Sequence, residues 1–292
     1  MSKTKNSLLF ALFLLVLCVP AAAGNLRVAV LSVGQGLSVV TESPDGRVMV
    51  FDCGSENPRF DSANTNRTVR YLRFRGVRKL DAVVLSHADS DHSSGMGVLL
   101  KNYKAKTFIT GKAVLADKRF AAVERALKKQ KTPIRCPASG ESFSLGRQVK
   151  VRVVSPGASG KGNTGSLALL VKYGSESFLL TSDMGKKEEA AMCRRFGSGL
   201  AASVLLVPHH GSSGSCSQAL LRAARPRAAA ISCGRRNKYG HPSFGVLKRL
   251  SDNKIRVLMT ARDGDIVFVS DGKRTGFVKK RKKALFSDIW SK

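Results

Sequence analysis

The stretch Ser-His-Ala-Asp-Ser-Asp-His-Ser-Ser-Gly at residues 86–95 constrains this chain more than any other. It follows an apolar run at residues 80–85, which predicts a buried strand because it is short and rich in valine. Four side chains on the turn after that strand can bind a divalent metal: His87, Asp89, Asp91 and His92. A turn can bring such side chains together. An Asp-rich turn that caps a helix would explain Asp91 alone and leaves both histidines without a role.

The remaining histidines support a metal site. The chain has only five histidines, and the pair His209-His210 follows an apolar predicted strand, as Asp183 also does. The last one, His241, precedes Pro242 in a turn. Strand ends that deliver His and Asp side chains to one rim are how an α/β scaffold builds a site on its loops. We therefore predict that these residues lie close to the turn at residues 86–95.

Hydrophobic periodicity predicts two strand-rich halves with interspersed helices. The predicted strands are residues 26–33, 37–41, 47–52, 80–85, 149–154, 167–173, 177–181 and 204–207. Helices are predicted to start near residue 96 and to span residues 115–130, 186–196, 217–224 and 244–250. This pattern by itself predicts only a mixed α/β protein. No linker rich in Pro, Gly or Ser divides the chain, so we predict one domain over residues 24–275 and a basic tail over 276–292.

The first 23 residues predict a secretory signal peptide. Lys3 and Lys5 precede an apolar segment at residues 8–19, and a zone of small residues follows at 20–24. Twelve apolar residues are fewer than the roughly 20 that cross a bilayer. We predict cleavage after Ala23, export to the periplasm or the extracellular medium, and no stable membrane span after removal of the signal; an uncleaved anchor is the alternative.

The charge of the chain indicates a polyanionic partner. Lysine and arginine exceed aspartate and glutamate to give a formal net charge of +30, spread along the sequence. Such a field concentrates polyanions and speeds their encounter, which predicts binding to nucleic acid, DNA above all. Solubility or adhesion to an anionic envelope are the alternatives. Within the tail, Lys279, Lys280 and Arg281 are candidate phosphate contacts, and the alternative for that run is a solvated tail.

Seven motifs in one order resemble the metallo-β-lactamase fold, and within it the ComEC-like branch of hydrolase domains from DNA-uptake proteins. They are Val33-Gly-Gln-Gly36, Asp52-Cys-Gly54, the cluster at residues 87–95, Asn163-Thr-Gly-Ser-Leu167, Leu179-Leu-Thr-Ser-Asp183, Pro208-His-His-Gly-Ser212 and Asn237-Lys-Tyr-Gly-His-Pro242. Singly the glycine motifs are weak, whereas their order over residues 26–270 is specific. The resemblance implies a four-layer αββα sandwich.

The resemblance also implies a dinuclear metal site. Its ligands would be His87, Asp89, Asp91, His92, Asp183 and one of His209 or His210, holding two divalent ions, Zn²⁺ or Mn²⁺, with Asp183 bridging. The usual His-x-His-x-Asp-His pattern has Asp89 at its second histidine, and Asn163 stands where other branches carry a histidine. The ComEC-like branch shares both departures.

A carboxylate-rich dinuclear site predicts hydrolysis by a metal-activated hydroxide. Asp91 would orient the hydroxide, and His241 would bind a phosphate oxygen or protonate the leaving group, unless it belongs to a structural His-Pro turn. Five further residues are candidate substrate contacts: Asn163, Ser166, Ser212, Ser213 and Tyr239. We predict an exported nuclease. The alternatives are a hydrolase of another anionic envelope phosphodiester or ester, and a non-catalytic DNA-binding accessory; the oligomeric state is left open.

Overall fold

A computed structural model of the protein describes residues 24–155 and 162–278. The predicted signal peptide at residues 1–23 lies outside the described residues. So do Lys279, Lys280 and Arg281 of the basic tail. The last strand ends at Val278, three residues past the predicted end of the domain.

Two mixed β-sheets contain the strands of the described residues. The first has the order β15-β14-β1-β2-β3-β4-β5-β6, and the second has the order β13-β12-β11-β10-β9-β8-β7. The strands are β1 (Leu26–Val30), β2 (Ser38–Glu42), β3 (Val48–Cys53), β4 (Ala82–Leu85), β5 (Phe108–Thr110), β6 (Ile134–Arg135), β7 (Ser142–Leu145), β8 (Val149–Val153), β9 (Leu169–Tyr173), β10 (Glu176–Leu180), β11 (Val204–Leu206), β12 (Ala228–Ile231), β13 (Arg256–Met259), β14 (Ile266–Ser270) and β15 (Thr275–Val278).

Helices and short 3-10 turns connect these strands. The helices are α1 (Arg67–Phe74), α2 (Ser90–Ser93), α3 (Met96–Asn102), α4 (Lys112–Leu115), α5 (Ala121–Gln130), α6 (Lys186–Phe196), α7 (Gln218–Ala224), α8 (Phe244–Asp252) and α9 (Thr260–Asp263). None of the helices in residues 24–155 and 162–278 is long and apolar enough to span a membrane.

The apolar residues form three layers of packing. One cluster lies between the two sheets, where the rings of Phe178 and Phe268 meet edge to face at 6.1 Å. A second cluster packs α1, α3 and α5 on the outer face of the first sheet, and includes Leu72 and Leu99. The third packs α6, α7 and α8 on the outer face of the second sheet, and includes Met192. The predicted αββα sandwich is confirmed.

Most predicted elements fall within a few residues of the observed ones, and one helix differs. The helix predicted at residues 115–130 is interrupted, because α4 ends at Leu115 and α5 begins only at Ala121. Between them the Asp117 side chain accepts a hydrogen bond from the backbone N–H of Arg119. An aspartate that caps a turn in this way competes with the helix for backbone donors. At this break Arg119 lies at the edge of the cleft described below.

Candidate metal centre

The candidate metal centre lies where strands of both sheets end. Strand β4 is parallel to β3 in the first sheet, and β10 is parallel to β11 in the second. Ser86 and His87 follow β4, Asp183 follows β10 by three residues, and the pair His209-His210 follows β11. Carboxyl ends of parallel strands share one edge of a sheet, so these short loops meet at the same end of the sandwich.

Four donor side chains converge at this edge: Asp91, His92, Asp183 and His210. One ligand atom from each lies within 4.8 Å of all the others. His92 Nε2 is 3.0 Å from Asp183 Oδ1, and His210 Nε2 is 3.2 Å from Asp91 Oδ2. His210 Nε2 is also 3.5 Å from Asp183 Oδ2. Asp91 is one-fifth exposed and faces solvent, whereas the other three side chains are buried.

Buried serine and aspartate side chains fix how two of the histidines face the centre. The Asp52 carboxylate accepts a hydrogen bond from His92 Nδ1 at 2.7 Å. Ser86 Oγ donates to Asp52 at 2.6 Å and accepts from Ser182 Oγ at 2.6 Å. Because its single proton is used, Ser86 Oγ can only accept from His87 Nδ1, which lies 3.0 Å away. These contacts leave Nε2 of His87 and of His92 directed at the site.

The third histidine is oriented by the backbone. His210 Nδ1 donates to the carbonyl oxygen of Ser232 at 2.9 Å, so its Nε2 faces Asp91. Ser232 is itself held by a hydrogen bond from its Oγ to the Gly36 carbonyl oxygen. Outer partners of this kind set the tautomer and the orientation of metal-binding histidines.

The donor set fits a divalent cation. Nε2 of His87 and Nε2 of His92 are buried and make no hydrogen bond of regular geometry among the described residues, although carboxylate oxygens of Asp89 and Asp183 lie 3.5 Å and 3.0 Å from them. Burial lowers the pKa of His92, but the charges of Asp183 and Asp52 outweigh it and raise that pKa well above the ordinary value. Burial likewise raises the pKa of Asp183, yet the charges of His92 and His210 hold it well below its usual range. The ionised carboxylates thus favour a positive charge at this position, which a bound divalent ion would supply.

Backbone geometry shows how closely the loops approach each other. Asp52, Ser182, His209 and His210 all have φ between 50° and 57°, a left-handed conformation that is uncommon for residues other than glycine. A Cβ atom at Gly54 would lie 2.3 Å from the backbone of Asp91 and His92. The glycine of the Asp52-Cys-Gly54 motif therefore lets the loop with two of the donors lie directly on β3. The left-handed backbone of the four residues named above is strained, and such strain clusters at functional sites.

His87 and Asp89 lie beside the four-residue cluster. The rings of His87 and His92 are 4.1 Å apart, and His87 Nε2 is 3.5 Å from Asp89 Oδ2. The other carboxylate oxygen, Asp89 Oδ1, accepts a hydrogen bond from Arg119 Nη1 at 2.6 Å. The neighbouring His87 and the Arg119 guanidinium lower the pKa of Asp89 below its usual range, although burial opposes them. Asp89 is thus ionised and held next to the free nitrogen of His87.

A cleft of about 360 Å³ opens over the cluster. Four residues that the sequence predicts for the site line this cleft: His209, His241, Tyr239 and Asn163. His209 Nε2 lies 3.6 Å from Asp183 Oδ2 but is one-third exposed, whereas His210 is buried within the cluster. The structure thus brings together ten of the thirteen predicted site residues in its described part. Ser166, Ser212 and Ser213 do not line the cleft.

Sequence comparison gives the family. Residues 31–235 match the model of the Metallo-beta-lactamase superfamily. The chain belongs to this superfamily. Three curated relatives are "ComE operon protein 3" of Bacillus subtilis (30% identity over 262 residues), "Competence protein ComA" of Neisseria gonorrhoeae (31% over 265) and "Recombination protein 2" of Haemophilus influenzae (32% over 240). The predicted resemblance to metallo-β-lactamase-fold hydrolases and to competence proteins is confirmed.

The matches cover most of this chain but only part of each relative. They span 85%, 91% and 82% of this chain and 34%, 35% and 28% of the three relatives, so the chain matches about a third of the length of each relative. Among solved structures, the diiron β-hydroxylase CmlA of Streptomyces venezuelae superposes with a TM-score of 0.52 at 11% identity, over 87% of this chain and 54% of CmlA. The structure titled "Putative metal-dependent hydrolase" from Parabacteroides distasonis gives a TM-score of 0.50 at 12% identity, over 81% of this chain and 94% of that chain. These structures show the shared metallo-β-lactamase fold alone.

Three residues that sequence reasoning did not assign to the site lie in it. Asp52 was part of a motif, but only the folded chain shows that its carboxylate orients His92. Arg119 and Glu56 line the cleft and belong to no motif. Glu56 accepts a hydrogen bond from the Tyr239 hydroxyl across the cleft. No local pattern indicates either residue, because both reach this metallo-β-lactamase-fold site from loops distant in the sequence.

We expect Asp52→Asn to weaken metal binding. Both oxygens of Asp52 accept hydrogen bonds, one from the Ser86 backbone N–H and the other from Ser86 Oγ and His92 Nδ1. An asparagine amide would place a second donor against one of these donors, so His92 would lose its fixed orientation. Losing such a partner typically costs about 10- to 100-fold in metal affinity. Equilibrium metal titration of the folded variant checks this; a titration identical to that of the wild type would contradict it.

Proposed function

We propose that this protein is a metal-dependent phosphodiesterase that hydrolyses nucleic acid, DNA above all, outside the cytoplasm. The observation that carries the proposal is the buried cluster of two aspartates and two histidines at the floor of an open cleft. Similarity to competence proteins and the formal net charge of +30 support the choice of a polyanionic substrate. The sequence of residues 1–23 supports export.

The residues of the cluster would hold the metal ions. Asp91, His92, Asp183 and His210 would form one part of the site, and His87 with Asp89 would complete a second position next to His92. Divalent ions bound there would lower the pKa of a bound water and polarise a phosphoryl oxygen. Zn²⁺ and Mn²⁺ both suit such a mixed set of imidazole and carboxylate donors.

The protein's own residues supply the orientation. The partly exposed Asp91 carboxylate faces the cleft and can hold the attacking water through a hydrogen bond. His241 stacks on Tyr239 with ring centroids 5.5 Å apart and lies 5.8 Å from the ring of His209. Burial and the charges of His210 and His209 lower the pKa of His241. A neutral imidazole at this place can donate one N–H to a phosphate oxygen.

The charge of the cleft explains why binding of substrate would require metal. Four carboxylates line the cleft, those of Glu56, Asp89, Asp91 and Asp183, against one guanidinium, Arg119. A phosphodiester would be repelled from such a surface unless cations offset the carboxylates. We therefore propose that metal binding precedes productive substrate binding, while the basic outer surface raises the local concentration of the polyanion.

A substrate panel tests this function. The mature protein, supplied in turn with Mn²⁺ and Zn²⁺, would be assayed on single-stranded DNA, duplex DNA, RNA and bis(p-nitrophenyl) phosphate. We expect metal-stimulated cleavage of nucleic acid. Cleavage of the small phosphodiester with none of the nucleic acids would contradict the substrate, and no hydrolysis of any of them would contradict the reaction class.

Arg119 is expected to position Asp89 for the second metal. Its guanidinium is anchored by Asp117 at 2.7 Å and holds Asp89 Oδ1 at 2.6 Å, which leaves Asp89 Oδ2 near His87. In Arg119→Ala the carboxylate loses this support, so affinity for the second ion should fall about 10-fold, while the first ion stays bound. Arg119→Lys keeps the positive charge but lacks the planar guanidinium, so its affinity for the second ion should lie between those of the wild type and Arg119→Ala. Isothermal metal titration measures this, and unchanged binding of both ions would refute the role.

Affinity for DNA should fall steeply with salt. Each phosphate neutralised on duplex DNA contributes a slope of about −0.9 to the plot of log affinity against log salt. Deleting residues 281–283 should make that slope shallower if the basic tail takes part. Fluorescence anisotropy over a salt series measures both. A flat dependence for the wild type would point instead to a small or uncharged substrate.

A further inference from the structure

A basic surface lies at the end of the first sheet opposite the cleft. We call it the basic pole and define it as three stretches, residues 73–81, 101–106 and 128–131. Each stretch contains the end of one helix (α1, α3 or α5) or the loop that follows it. The pole carries ten lysine and arginine side chains, all exposed: Arg73, Arg75, Arg78, Lys79, Lys101, Lys104, Lys106, Lys128, Lys129 and Lys131.

Hydrogen bonds join the three stretches into one surface. The backbone N–H of Leu80 donates to the carbonyl oxygen of Lys104 at 3.0 Å, and that of Lys106 donates to Leu80 at 2.8 Å. Gln130 Nε2 donates to the Tyr103 carbonyl oxygen at 3.1 Å. Arg73 Nη2 donates to Asn102 Oδ1 at 3.0 Å, which links α1 to α3. The cations are therefore held together by the fold.

The pole and the cleft lie at opposite ends of the same strand. Strand β4 begins at Ala82, directly after the pole, and ends at Leu85. Ser86 and His87 follow at its carboxyl end, where the candidate metal centre lies. The four residues of β4, about 13 Å of strand, thus separate the pole from the candidate metal centre. The ten cations therefore form a surface of their own outside the cleft, and this surface can bind an anionic partner other than the substrate.

Negative charges near the basic pole do not neutralise its ten cations. Each helix carboxyl end carries about half a negative charge, so three such ends offset fewer than two of ten cations. The only acidic residue within the three stretches is Asp81, which lies 3.4 Å from Arg47 outside them. Glu42 pairs with Arg75 and Glu124 pairs with Lys128. Most of the positive charge of the pole faces solvent.

We propose that the basic pole docks the protein on an anionic lipid membrane and leaves the cleft facing the solution. Lysines make up seven of the ten cations, and each cation near an anionic lipid surface strengthens binding about fivefold. Phe74 lies between Arg73 and Arg75 and is 43% exposed, as an aromatic side chain at a lipid interface would be. Surfaces that bind single-stranded nucleic acid usually have several exposed aromatic rings on which bases stack. Phe74 is the one large apolar side chain that is exposed in the described residues of the pole, so the pole lacks such a set of rings.

Vesicle co-sedimentation of the full mature chain tests the proposal. The triple variant Lys79→Glu, Lys104→Glu, Lys106→Glu changes the pole. The matched control Lys112→Glu, Lys186→Glu, Lys187→Glu changes three exposed lysines at the starts of α4 and α6, with the same change in charge. On vesicles of phosphatidylcholine with phosphatidylglycerol, the partition coefficient of the pole variant should fall at least about 100-fold. The control should fall much less, and vesicles of phosphatidylcholine alone should bind neither the wild type nor the variants.

Two results would overturn the proposal. They are wild-type vesicle binding by the pole variant and an equal loss of vesicle binding in the control. If the pole variant keeps vesicle binding and loses binding to duplex DNA, the pole is assigned to nucleic acid. A corresponding set of lysine-to-glutamine variants, with half the change in charge, should show an intermediate loss. Thermal unfolding monitored by circular dichroism identifies any variant that is not folded. Cleavage activity does not enter the test, so the outcome is independent of the proposed nuclease function.

Discussion

Replacing Asp183 by alanine should remove at least one of two bound metal ions. Asp183 lies at the centre of the cluster, with one carboxylate oxygen 3.0 Å from His92 Nε2 and the other 3.5 Å from His210 Nε2. A carboxylate in this position can bind both ions at once, so its loss weakens both positions. We expect the metal content after dialysis to fall from about two ions to one or fewer. Inductively coupled plasma mass spectrometry of fresh and reconstituted protein measures it.

Two controls make the Asp183 result interpretable. Asp183→Asn keeps the shape and one oxygen, so it should retain more metal than alanine. Asp252→Asn changes an exposed carboxylate that pairs with Lys248 at the end of α8, far along the chain from the cluster, and should bind metal like the wild type. If Asp183→Ala bound two ions as tightly as the wild type, the four-residue cluster would not be the metal site.

Asp91→Asn should lower the rate of DNA cleavage by several orders of magnitude. Asp91 lines the cleft and is the most exposed residue of the cluster, and its Oδ2 lies 3.2 Å from His210 Nε2. The substitution keeps the shape but removes a negative charge, a strong ligand and the acceptor that orients the attacking water. A misplaced nucleophile forfeits most of the benefit of a preorganised site. Overall affinity for DNA should hold, because most of it comes from lysine and arginine side chains outside the cleft.

Parallel cleavage and gel-shift titrations separate catalysis from binding. The wild type should cleave and bind, Asp91→Asn should bind without cleaving, and Asp252→Asn should do both. A non-catalytic accessory would bind DNA in all three forms and cleave it in none. Cleavage that persists unchanged in Asp91→Asn would mean a contaminating nuclease or another active site.

The sequence indicated the centre because much of it is local. His87, Asp89, Asp91 and His92 lie within six residues, on a turn that must fold compactly between β4 and α3. Asp183 and the histidine pair could be added because each follows an apolar strand. The choice between His209 and His210 could not be made, since both residues have a left-handed backbone and their side chains diverge only in the folded loop. Arg119 could not be assigned to the site either, because only the folded chain brings its guanidinium next to Asp89.

Elements with a strong local preference were likewise predicted better than weak ones. Helix α6, which is rich in the helix-favouring residues Lys, Glu and Ala, was predicted with its observed bounds, whereas α1, which contains Thr, Val, Tyr and Phe, was not predicted. Strand β12 is Ala-Ala-Ala-Ile, a sequence with little preference for strands, and it forms only because β11 and β13 flank it. The break in the helix predicted at residues 115–130 depends on one aspartate side chain.

Metal reconstitution tests the nuclease assignment most directly. Protein stripped with a chelator would receive Mn²⁺ or Zn²⁺ in measured equivalents, and both bound metal and cleavage of an end-labelled DNA strand would be followed. If the cluster of Asp91, His92, Asp183 and His210 is the catalytic metal centre, the stripped protein should be inactive. Cleavage should then rise in step with bound metal and level off at about two equivalents. Equal cleavage by the stripped protein, or a fully metal-loaded protein that leaves DNA intact, would contradict the assignment.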